Sequence, residues 1–170
     1  MRLKKLSARL SAMASFVSTG ESVADIGADH GYLSLFLVRE GISPSAILTD
    51  VQEGPLEKTR ISVEKATSIT EGLDERISLR LGDGLVPLEI AEVDVVAIAG
   101  MGGETIISIL SADPDKTGSF RRYILQPRTK VKLLKDWLLE NHWAIIAETS
   151  AKERDKMCDI IVCTPEGESW

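Results

Sequence analysis

Cysteine and histidine are scarce in this sequence, and neither is spaced as metal ligands usually are. Among the 170 residues are two cysteines and two histidines. Cys158 and Cys163 are five positions apart in what we predict is one strand, and because an odd spacing places strand side chains on opposite faces, we expect no disulfide between them. His30 and His142 are distant in the chain, and no Cys-x-x-Cys or His-x-x-x-His spacing occurs. The sequence therefore predicts no bound metal.

The sequence also lacks a long hydrophobic run. Its longest mainly apolar stretch, residues 93–101, is far shorter than the roughly 20 residues that a helix needs to cross a bilayer. The first residues are basic and amphipathic, without the apolar segment that a signal peptide contains. These features predict a cytoplasmic protein that does not associate with membranes.

Internal repeats and low-complexity segments are absent as well. A mass of 18.5 kDa, with 44% apolar and 27% charged residues, is typical of a single globular domain. We expect residues 1–170 to form one domain, with an N-terminal helical extension over residues 1–18 and an α/β core of the Rossmann-like type over residues 19–164.

Negative charge dominates the composition, but positive charge is concentrated in two windows. The net charge of −6 alone argues against a nucleic-acid binder. Residues 1–20 and 116–135 contain no acid, and they hold the cations Arg2, Lys4, Lys5, Arg9, Lys116, Arg121, Arg122, Arg128, Lys130, Lys132 and Lys135. One such window is usually a solvated helix face. Two of them in so acidic a protein favour a side that faces phosphate groups.

The stretch that organises the rest of the chain is Val-Ala-Asp-Ile-Gly-Ala-Asp-His-Gly at residues 23–31. Its first four residues are typical of a strand buried on both faces, and its glycines allow a sharp turn into an apolar helix, as in nucleotide-binding α/β domains. Asp25 and Asp29 would repel a pyrophosphate, whereas they suit a ligand that carries an ammonium group and ribose hydroxyls. S-adenosylmethionine is such a ligand.

Hydrophobic periodicity along the chain predicts an α/β fold. After a helix over residues 2–14 and the strand and helix just described, we expect strands at residues 45–50, 77–81, 93–99 and 122–125, helices starting near residues 54, 103 and 130, and a final strand pair at residues 143–148 and 157–163. Pro127 should end the fifth strand, and residues 113–119 should form a loop. A seven-stranded, mostly parallel sheet with a terminal antiparallel hairpin is the arrangement of class I S-adenosylmethionine-dependent methyltransferases.

Further acids and glycines follow the predicted strands, at the sheet edge where such folds bind ligands. Asp50 lies 23 positions after Gly27. In nucleotide-binding α/β folds, an acid roughly 20 positions after the glycine loop accepts hydrogen bonds from ribose hydroxyls, and Asp50 is the candidate for that role. Asp83 lies between two glycines, where it would either orient an adenine amino group or cap a helix. The glycines of residues 100–103 indicate close approach of a ligand, although they would also allow tight packing of strand against helix.

Five short motifs resemble those of the bacterial tRNA (adenine-N1)-methyltransferases that modify adenine 22. They are Leu-Ser-Ala-Arg-Leu at residues 6–10, Ala-Asp-Ile-Gly-Ala-Asp-His at 24–30, Leu-Gly-Asp-Gly-Leu at 81–85, Ile-Ala-Gly-Met-Gly-Gly at 98–103 and Ile-Leu-Gln-Pro at 124–127. Asp-His after the first glycine, combined with the last two motifs, is far more specific than the glycine loop alone. The resemblance extends from residue 2 to about residue 162.

The resemblance implies methyl transfer from S-adenosylmethionine to N1 of an adenine in tRNA. Adenine N1 has its own lone pair and is largely unprotonated at neutral pH, so no strong general base is expected. We regard Asp29 as the candidate catalytic side chain, while His30 is more often a loop-packing residue than an acid or base. The cofactor-binding residues are expected to be Asp25, Gly27, Asp29, Gly31, Asp50, Val51, Asp83, Gly84 and Gly100, and the substrate-binding residues Met101, Gly102, Gly103, Arg9, Gln126 and Pro127.

Two features depart from the family pattern. After Leu-Gln-Pro the family usually continues Asn-Val-Gly, whereas this chain has Arg128, Thr129 and Lys130, which leaves open how the substrate is contacted there. Members also usually carry a further helical segment, resembling a coiled coil, after the last strand, while this sequence ends at Trp170. We expect a catalytic domain alone or a short family member, with weaker tRNA binding in either case.

Two other functions are compatible with the same residues. A small-molecule methyltransferase would share the fold, because the fold does not determine the acceptor, but the two basic windows argue against it. A cofactor-binding module that has lost catalysis would act through partners, but the intact glycine loops argue against that.

Overall fold

Strands and helices alternate along the computed structural model of the protein, which describes residues 5–165. The strands are β1 (Val23–Ile26), β2 (Ala46–Asp50), β3 (Ile77–Leu81), β4 (Val95–Gly102), β5 (Arg122–Thr129), β6 (Ala144–Glu153) and β7 (Lys156–Thr164). The helices are α1 (Ala8–Ala14), α2 (Tyr32–Arg39), α3 (Glu53–Ile69), α4 (Gly103–Ser111), α5 (Pro114–Thr117) and α6 (Val131–Glu140).

All seven strands belong to one sheet, in the order β3-β2-β1-β4-β5-β7-β6. The pairs from β3 to β5 are parallel. Only β7 runs against its neighbours, pairing antiparallel with both β5 and β6. The predicted arrangement, a mostly parallel sheet closed by an antiparallel hairpin and preceded by a helix, is therefore confirmed.

Two hydrophobic cores lie on the two faces of the sheet, as expected for central strands that are buried on both sides. Helices α1, α2 and α3 cover one face, where Met13, Leu37 and Val63 are buried. Helices α4 and α6 cover the other, where Ile106 and Leu138 are fully buried. The sheet is thus packed on both faces, and the loops lie at its edges.

Helix α1 begins later than the periodicity predicted. Residues 2–4 lie outside the described part of the chain, and residues 5–7 are not helical. The reason is a cap: the Ser7 hydroxyl oxygen accepts a hydrogen bond from the Leu10 amide at 3.2 Å, which starts the helix at Ala8. Leu6 and Leu10 nevertheless pack against the core with Met13, so the hydrophobic spacing over residues 6–13 correctly marks the buried side of this segment.

Strand β5 continues through Pro127, contrary to the prediction that this proline ends it. Pro127 pairs with Met101 of β4, and Thr129 pairs with Gly102, across irregular register. A proline is tolerated there because β7 pairs only with Tyr123–Leu125, so the backbone at Pro127 faces no ladder on that side. The added residues bring the end of β5 alongside the glycine cluster of β4.

The segment predicted as a loop, residues 113–119, contains the short helix α5. Asp113 caps it by accepting a hydrogen bond from the Lys116 amide at 3.2 Å, and Pro114 occupies the first helical position, where a missing N–H costs nothing.

Side chains with redox or metal-binding chemistry are dispersed. Cys158 is partly exposed and Cys163 is buried, and both are free thiols. Within residues 5–165, no group of three or more His, Cys, Asp or Glu side chains is placed to hold a metal ion. None of the helices in that range is long and apolar enough to cross a membrane.

Candidate functional site

The parallel strands bring the predicted site residues to one edge of the sheet. Ile26, at the end of β1, pairs with Thr49 of β2 and Ile98 of β4. Asp50 of β2 pairs with Leu81 of β3. The segments that follow these residues, at positions 27–31, 51–52, 82–84 and 100–103, therefore meet at the carboxyl edge, where open α/β sheets bind ligands.

The loop after β1 passes through left-handed backbone conformations. Asp29, His30 and Gly31 have φ angles of 27°, 64° and 72°. A Cβ atom on Gly31 would lie 2.6 Å from Cδ2 of Leu48, so this position requires glycine. For the other two residues such a conformation costs about 1–3 kcal/mol each, and strain of this kind is found mostly at functional sites. Helix α2 begins at Tyr32 without a side-chain cap.

Asp25 is a buried acid directly beneath this loop. Its side chain is 5% exposed and accepts a hydrogen bond from the Ser34 hydroxyl at 3.3 Å. Burial raises the pKa of Asp25 to about 7, against the lowering effects of the Ser34 hydrogen bond and the positive charge of Arg9, while Asp29 raises it further. A carboxyl with a pKa this close to neutrality changes its charge readily when a cationic ligand approaches.

Asp29 and His30 lie at the mouth of the loop. The Asp29 side chain is 86% exposed, and its Oδ1 is 3.7 Å from Nε2 of His30. The His30 ring stacks on Tyr32 with 5.2 Å between centroids and 6° between planes. His30 therefore has a packing partner, as expected of a loop-packing residue. The Asp29 carboxylate is exposed to solvent at the mouth of the loop.

The ends of β2 and β3 present acids beside exposed apolar side chains. Asp50 accepts a hydrogen bond from the Gln52 amide at 3.0 Å. Val51 and Leu81, beside these acids, are 63% and 50% exposed. Asp83 is exposed, and no helix follows it before β4, so the alternative in which it caps a helix is excluded.

A bulge in β4 shapes the fourth segment. The β4–β5 register passes from Ala99 to Met101 and leaves Gly100 as the extra residue, with φ of 74°. Such a residue loses its ladder partner. The Gly100 amide instead donates to Oε1 of the buried Gln126 side chain at 3.0 Å.

The residues after the bulge lie between the first loop and the end of β5. A Cβ atom on Gly27 would be 2.5 Å from Cε of Met101, so the methionine side chain lies directly over Gly27. A Cβ atom on Gly103 would be 2.5 Å from the carbonyl oxygen of Lys130. Met101, Gly102 and Gly103, which were predicted to bind the substrate, thus form one wall at the end of β4 and the start of α4, with the loop after β1 on one side and the end of β5 on the other.

Arg9 reaches this wall from helix α1. Its Nε donates to Oε2 of Glu153 at 2.8 Å, and Nη1 donates to Oε1 of Gln126 at 3.1 Å. The guanidinium therefore joins α1, the end of β6 and the end of β5.

Sequence reasoning missed Ser34, Leu81 and Glu153 as members of this site. Ser34 is the one polar residue in the apolar run from Leu33 to Val38, which was a usable signal for a buried partner. Leu81 was counted as an ordinary strand residue. Glu153 lies between the two strands predicted at residues 143–148 and 157–163, and only the three-dimensional path of the β6–β7 hairpin shows that it meets Arg9.

The second basic window does not form a single face. Arg122 pairs with Glu21 at the opposite, amino edge of the sheet, and Arg121 lies near Asp94 there. Lys132 and Lys135 pair with Asp136 and Glu148, and Lys116 reaches the carbonyl oxygens of Leu85 and Val86.

Two cations of that window behave differently. The side chains of Arg128 and Lys130 are exposed and have no hydrogen-bonding or ionic partner within residues 5–165. They lie on either side of Thr129, which pairs with Gly102. Two unpaired positive charges thus lie next to the wall formed by Met101, Gly102 and Gly103.

A cavity of about 560 Å³ lies away from this site. It is lined by residues that precede β5 and β6, among them Phe120, Arg121 and Trp143, together with Trp137 of α6. These positions belong to the amino edge of the sheet, so the cavity is separate from the converging loops.

The chain matches known proteins along nearly all of its length. Residues 6–161 match a family described as a methyltransferase domain. The tRNA (adenine(22)-N(1))-methyltransferase of Bacillus subtilis is 37% identical over 158 residues, which are 93% of this chain and 64% of that protein. The chain therefore spans a little under two thirds of the length of this relative.

Solved structures agree with the sequence match. The m1A22 tRNA methyltransferase TrmK of B. subtilis superposes with a TM-score of 0.87 at 38% identity, covering 98% of this chain and 68% of that one. Streptococcus pneumoniae Sp1610, in complex with S-adenosyl-L-methionine, gives a TM-score of 0.88 at 38% identity over 98% of this chain and 76% of that one. With these matches, the chain belongs to the bacterial tRNA (adenine(22)-N(1))-methyltransferase family and carries its methyltransferase domain.

Proposed function

We propose that this domain transfers the methyl group of S-adenosylmethionine to N1 of an adenine in tRNA, at position 22 by analogy with its relatives. Two matches support the proposal: the methyltransferase-domain match over residues 6–161, which contains every loop of the candidate site, and the 37% identity to the tRNA (adenine(22)-N(1))-methyltransferase of Bacillus subtilis. Such an activity would place the protein in the cytoplasm, where tRNA is modified.

The residues at the carboxyl edge suit S-adenosylmethionine. Asp25 and Asp29, with the glycines of their loop, would hold the methionine end, because two carboxyl groups near an ammonium and a sulfonium are favourable. Asp50 would accept hydrogen bonds from the ribose hydroxyls. The exposed side chains of Val51 and Leu81 offer apolar contact for a planar adenine. Asp83 and Gly84 lie beside them and would bind its polar edge.

When bound, S-adenosylmethionine would supply an electrophilic methyl group on a positively charged sulfur. Transfer forms a bond from adenine N1 to carbon and breaks the carbon–sulfur bond, and the positive charge passes to the base without any proton transfer. The chain therefore has to orient the base and exclude water rather than remove a proton. The exposed Asp29 carboxylate would stabilise positive charge that develops on the base.

The wall formed by Met101, Gly102 and Gly103 would receive the target base. Its backbone carbonyl groups are available to the adenine N6 amino group, and Pro127 closes the wall from β5. Because N1 lies on the pairing edge of the base, the nucleotide has to be unpaired or swung out before it reaches this wall. Arg128 and Lys130 lie beside the same wall and would attract the phosphates of that nucleotide.

Transfer of labelled methyl groups to an unmodified tRNA transcript tests the proposal. We expect label in the tRNA, and digestion to nucleosides should recover it as 1-methyladenosine from position 22. A transcript with guanosine at position 22 is the matched control and should remain unlabelled. Label in free nucleosides or small molecules alone would instead support a small-molecule methyltransferase, and no transfer to any acceptor would support a binding module.

We expect Asp25→Asn to stabilise the ligand-free protein above pH 7 while weakening its binding of S-adenosylmethionine. The folded state keeps a proton on Asp25 up to about pH 7, whereas the unfolded carboxyl loses it near 3.8. The folded state therefore binds more protons in that window, and the stability contributed by this group falls as pH rises from about 4 to 7. Asparagine does not ionise and avoids this cost.

Thermal denaturation at pH 5 and pH 8 measures the effect. At pH 8 the variant should have the higher Tm, and the difference should shrink at pH 5, where the wild-type carboxyl is protonated. Asp74→Asn, which changes an exposed acid in the turn before β3, should give no such pattern. An equal Tm difference at both pH values would contradict the assignment of a raised pKa to Asp25.

Replacing Arg128 and Lys130 by glutamine should weaken tRNA binding and reduce its salt dependence. Each phosphate contact releases close to one counterion, so the slope of log affinity against log salt should fall in magnitude by about one to two. The matched control replaces Lys132 and Lys135, which already pair with acids. It removes the same charge from the same segment. Equal slopes for the two double variants would show that Arg128 and Lys130 have no special contact with the tRNA.

A further inference from the structure

The Gly100 bulge depends on a single side chain. Gly100 is the extra residue between Ala99 and Met101 in the β4–β5 register, and its amide has no ladder partner. Oε1 of Gln126 accepts that amide at 3.0 Å. Gly100 is exposed, so without this oxygen its amide would turn to water, and the bulge would lose the contact that fixes it to the Gln126 side chain of β5.

The hydrogen-bonding capacity of Gln126 is almost fully used within the protein. Its Oε1 accepts from the Gly100 amide and from Arg9 Nη1, and its Nε2 donates to the Pro127 carbonyl oxygen at 3.2 Å. The residue is 3% exposed. A carbonyl oxygen has two lone pairs, so Oε1 has none left for a substrate.

Arg9 is held in the same way. Its Nε is bound to Glu153 and its Nη1 to Gln126, and its side chain is only 17% exposed. The charged donor fixes the orientation of the Gln126 amide, because only the oxygen can face a guanidinium and a backbone N–H together. The hydrogen bond from Arg9 to Glu153 also links helix α1 to the turn end of the β6–β7 hairpin.

The bulge in turn directs Met101. The residue after a bulge is re-aimed relative to a regular strand, and here the Met101 side chain lies over Gly27 in the loop that follows β1. A loss of the bulge would therefore move the wall of the base pocket relative to the methyl-donor loop. The chain of contacts runs from Arg9 through Gln126 and Gly100 to Met101.

We infer that Arg9 and Gln126 are positioning residues, which hold the Gly100 bulge and thereby align the base-binding wall with the donor loop. The sequence motifs suggested that Arg9 and Gln126 contact the target adenine. We infer instead that they act through the backbone. The inference rests on the proposed function for its catalytic consequence, but its structural content concerns this chain alone. Helix α1 would thus stabilise the active site through the guanidinium of Arg9, which binds Gln126 and Glu153.

A pair of variants at position 126 tests the inference. Gln126→Met keeps the length of the side chain and removes the acceptor, whereas Gln126→Glu keeps an acceptor for both Arg9 and Gly100. We expect hydrogen exchange of the Gly100 amide, followed by NMR, to accelerate at least tenfold in the methionine variant and to stay within threefold of wild type in the glutamate variant. In steady-state assays kcat should fall at least tenfold for methionine, with KM for tRNA within threefold, and glutamate should restore most of kcat.

Arg9→Met provides a second variant that removes no buried acceptor. It should also accelerate exchange of the Gly100 amide and lower kcat with little change in KM. Arg60→Met is the matched control, since Arg60 forms only an exposed pair with Glu57 on α3 and should leave exchange and kinetics unchanged. Tm values identify any variant that fails to fold, in which case Arg9→Met and Gln126→Glu decide the question.

Two results would overturn the inference. One is a rise in KM for tRNA with unchanged kcat, which would make Arg9 or Gln126 a substrate ligand. The other is unchanged exchange of the Gly100 amide in both Gln126→Met and Arg9→Met. Failure of the proposed function gives a different result: the wild type would not methylate tRNA, while exchange of the Gly100 amide would still show whether the bulge depends on Arg9 and Gln126.

Discussion

The parallel register of strands β1 to β4 is the constraint on which the rest of the site depends. Because Ile26 lies between Thr49 and Ile98, and Asp50 lies opposite Leu81, the four chain segments after these strands have to emerge at one edge. Two hydrophobic cores hold the register from both sides, so a slip would expose apolar side chains on each face. The packing of the strands, and not electrostatic attraction, brings the acids at this edge together. A cationic ligand would reduce the repulsion between them.

Unfavourable features are concentrated at that edge. Asp25 is buried with one hydroxyl partner, Asp29 and His30 adopt left-handed conformations, and Gly100 interrupts the β4–β5 ladder. Each lowers the stability of the ligand-free domain, and each has a use in a site that binds a positively charged donor beside a flat base. The amino edge also has two left-handed residues, Ala91 and His142, which lie in the turns that lead into β4 and β6. Its ion pairs, such as that between Arg122 and Glu21, serve the fold.

Much of this arrangement was predictable from local pattern. Buried strands such as Val95–Ile98 consist of consecutive apolar residues, and the acids and glycines directly after them mark the edge. Features that depend on distant neighbours were not predictable. Pro127 continues a strand only because β7 stops pairing before it, Ser7 starts a helix that the leucine spacing placed earlier, and Arg122 is neutralised by a residue about a hundred positions away. Charge clustering in sequence therefore overstated the basic surface. Within residues 116–135, the two cations whose side chains have no partner in the described part of the chain, Arg128 and Lys130, were identified only in three dimensions.

The central claim is that this carboxyl edge binds the methyl donor, and calorimetric titration of S-adenosylmethionine into wild type and Asp50→Ala tests it most directly. The account predicts one binding site per chain and a loss of about ten- to a hundredfold in affinity for the variant, because a carboxylate that accepts from hydroxyl groups contributes about 1.5–3 kcal/mol. Asp74→Ala, on an exposed turn, should bind as wild type does. Equal affinity of wild type and Asp50→Ala would contradict the account and place the donor elsewhere.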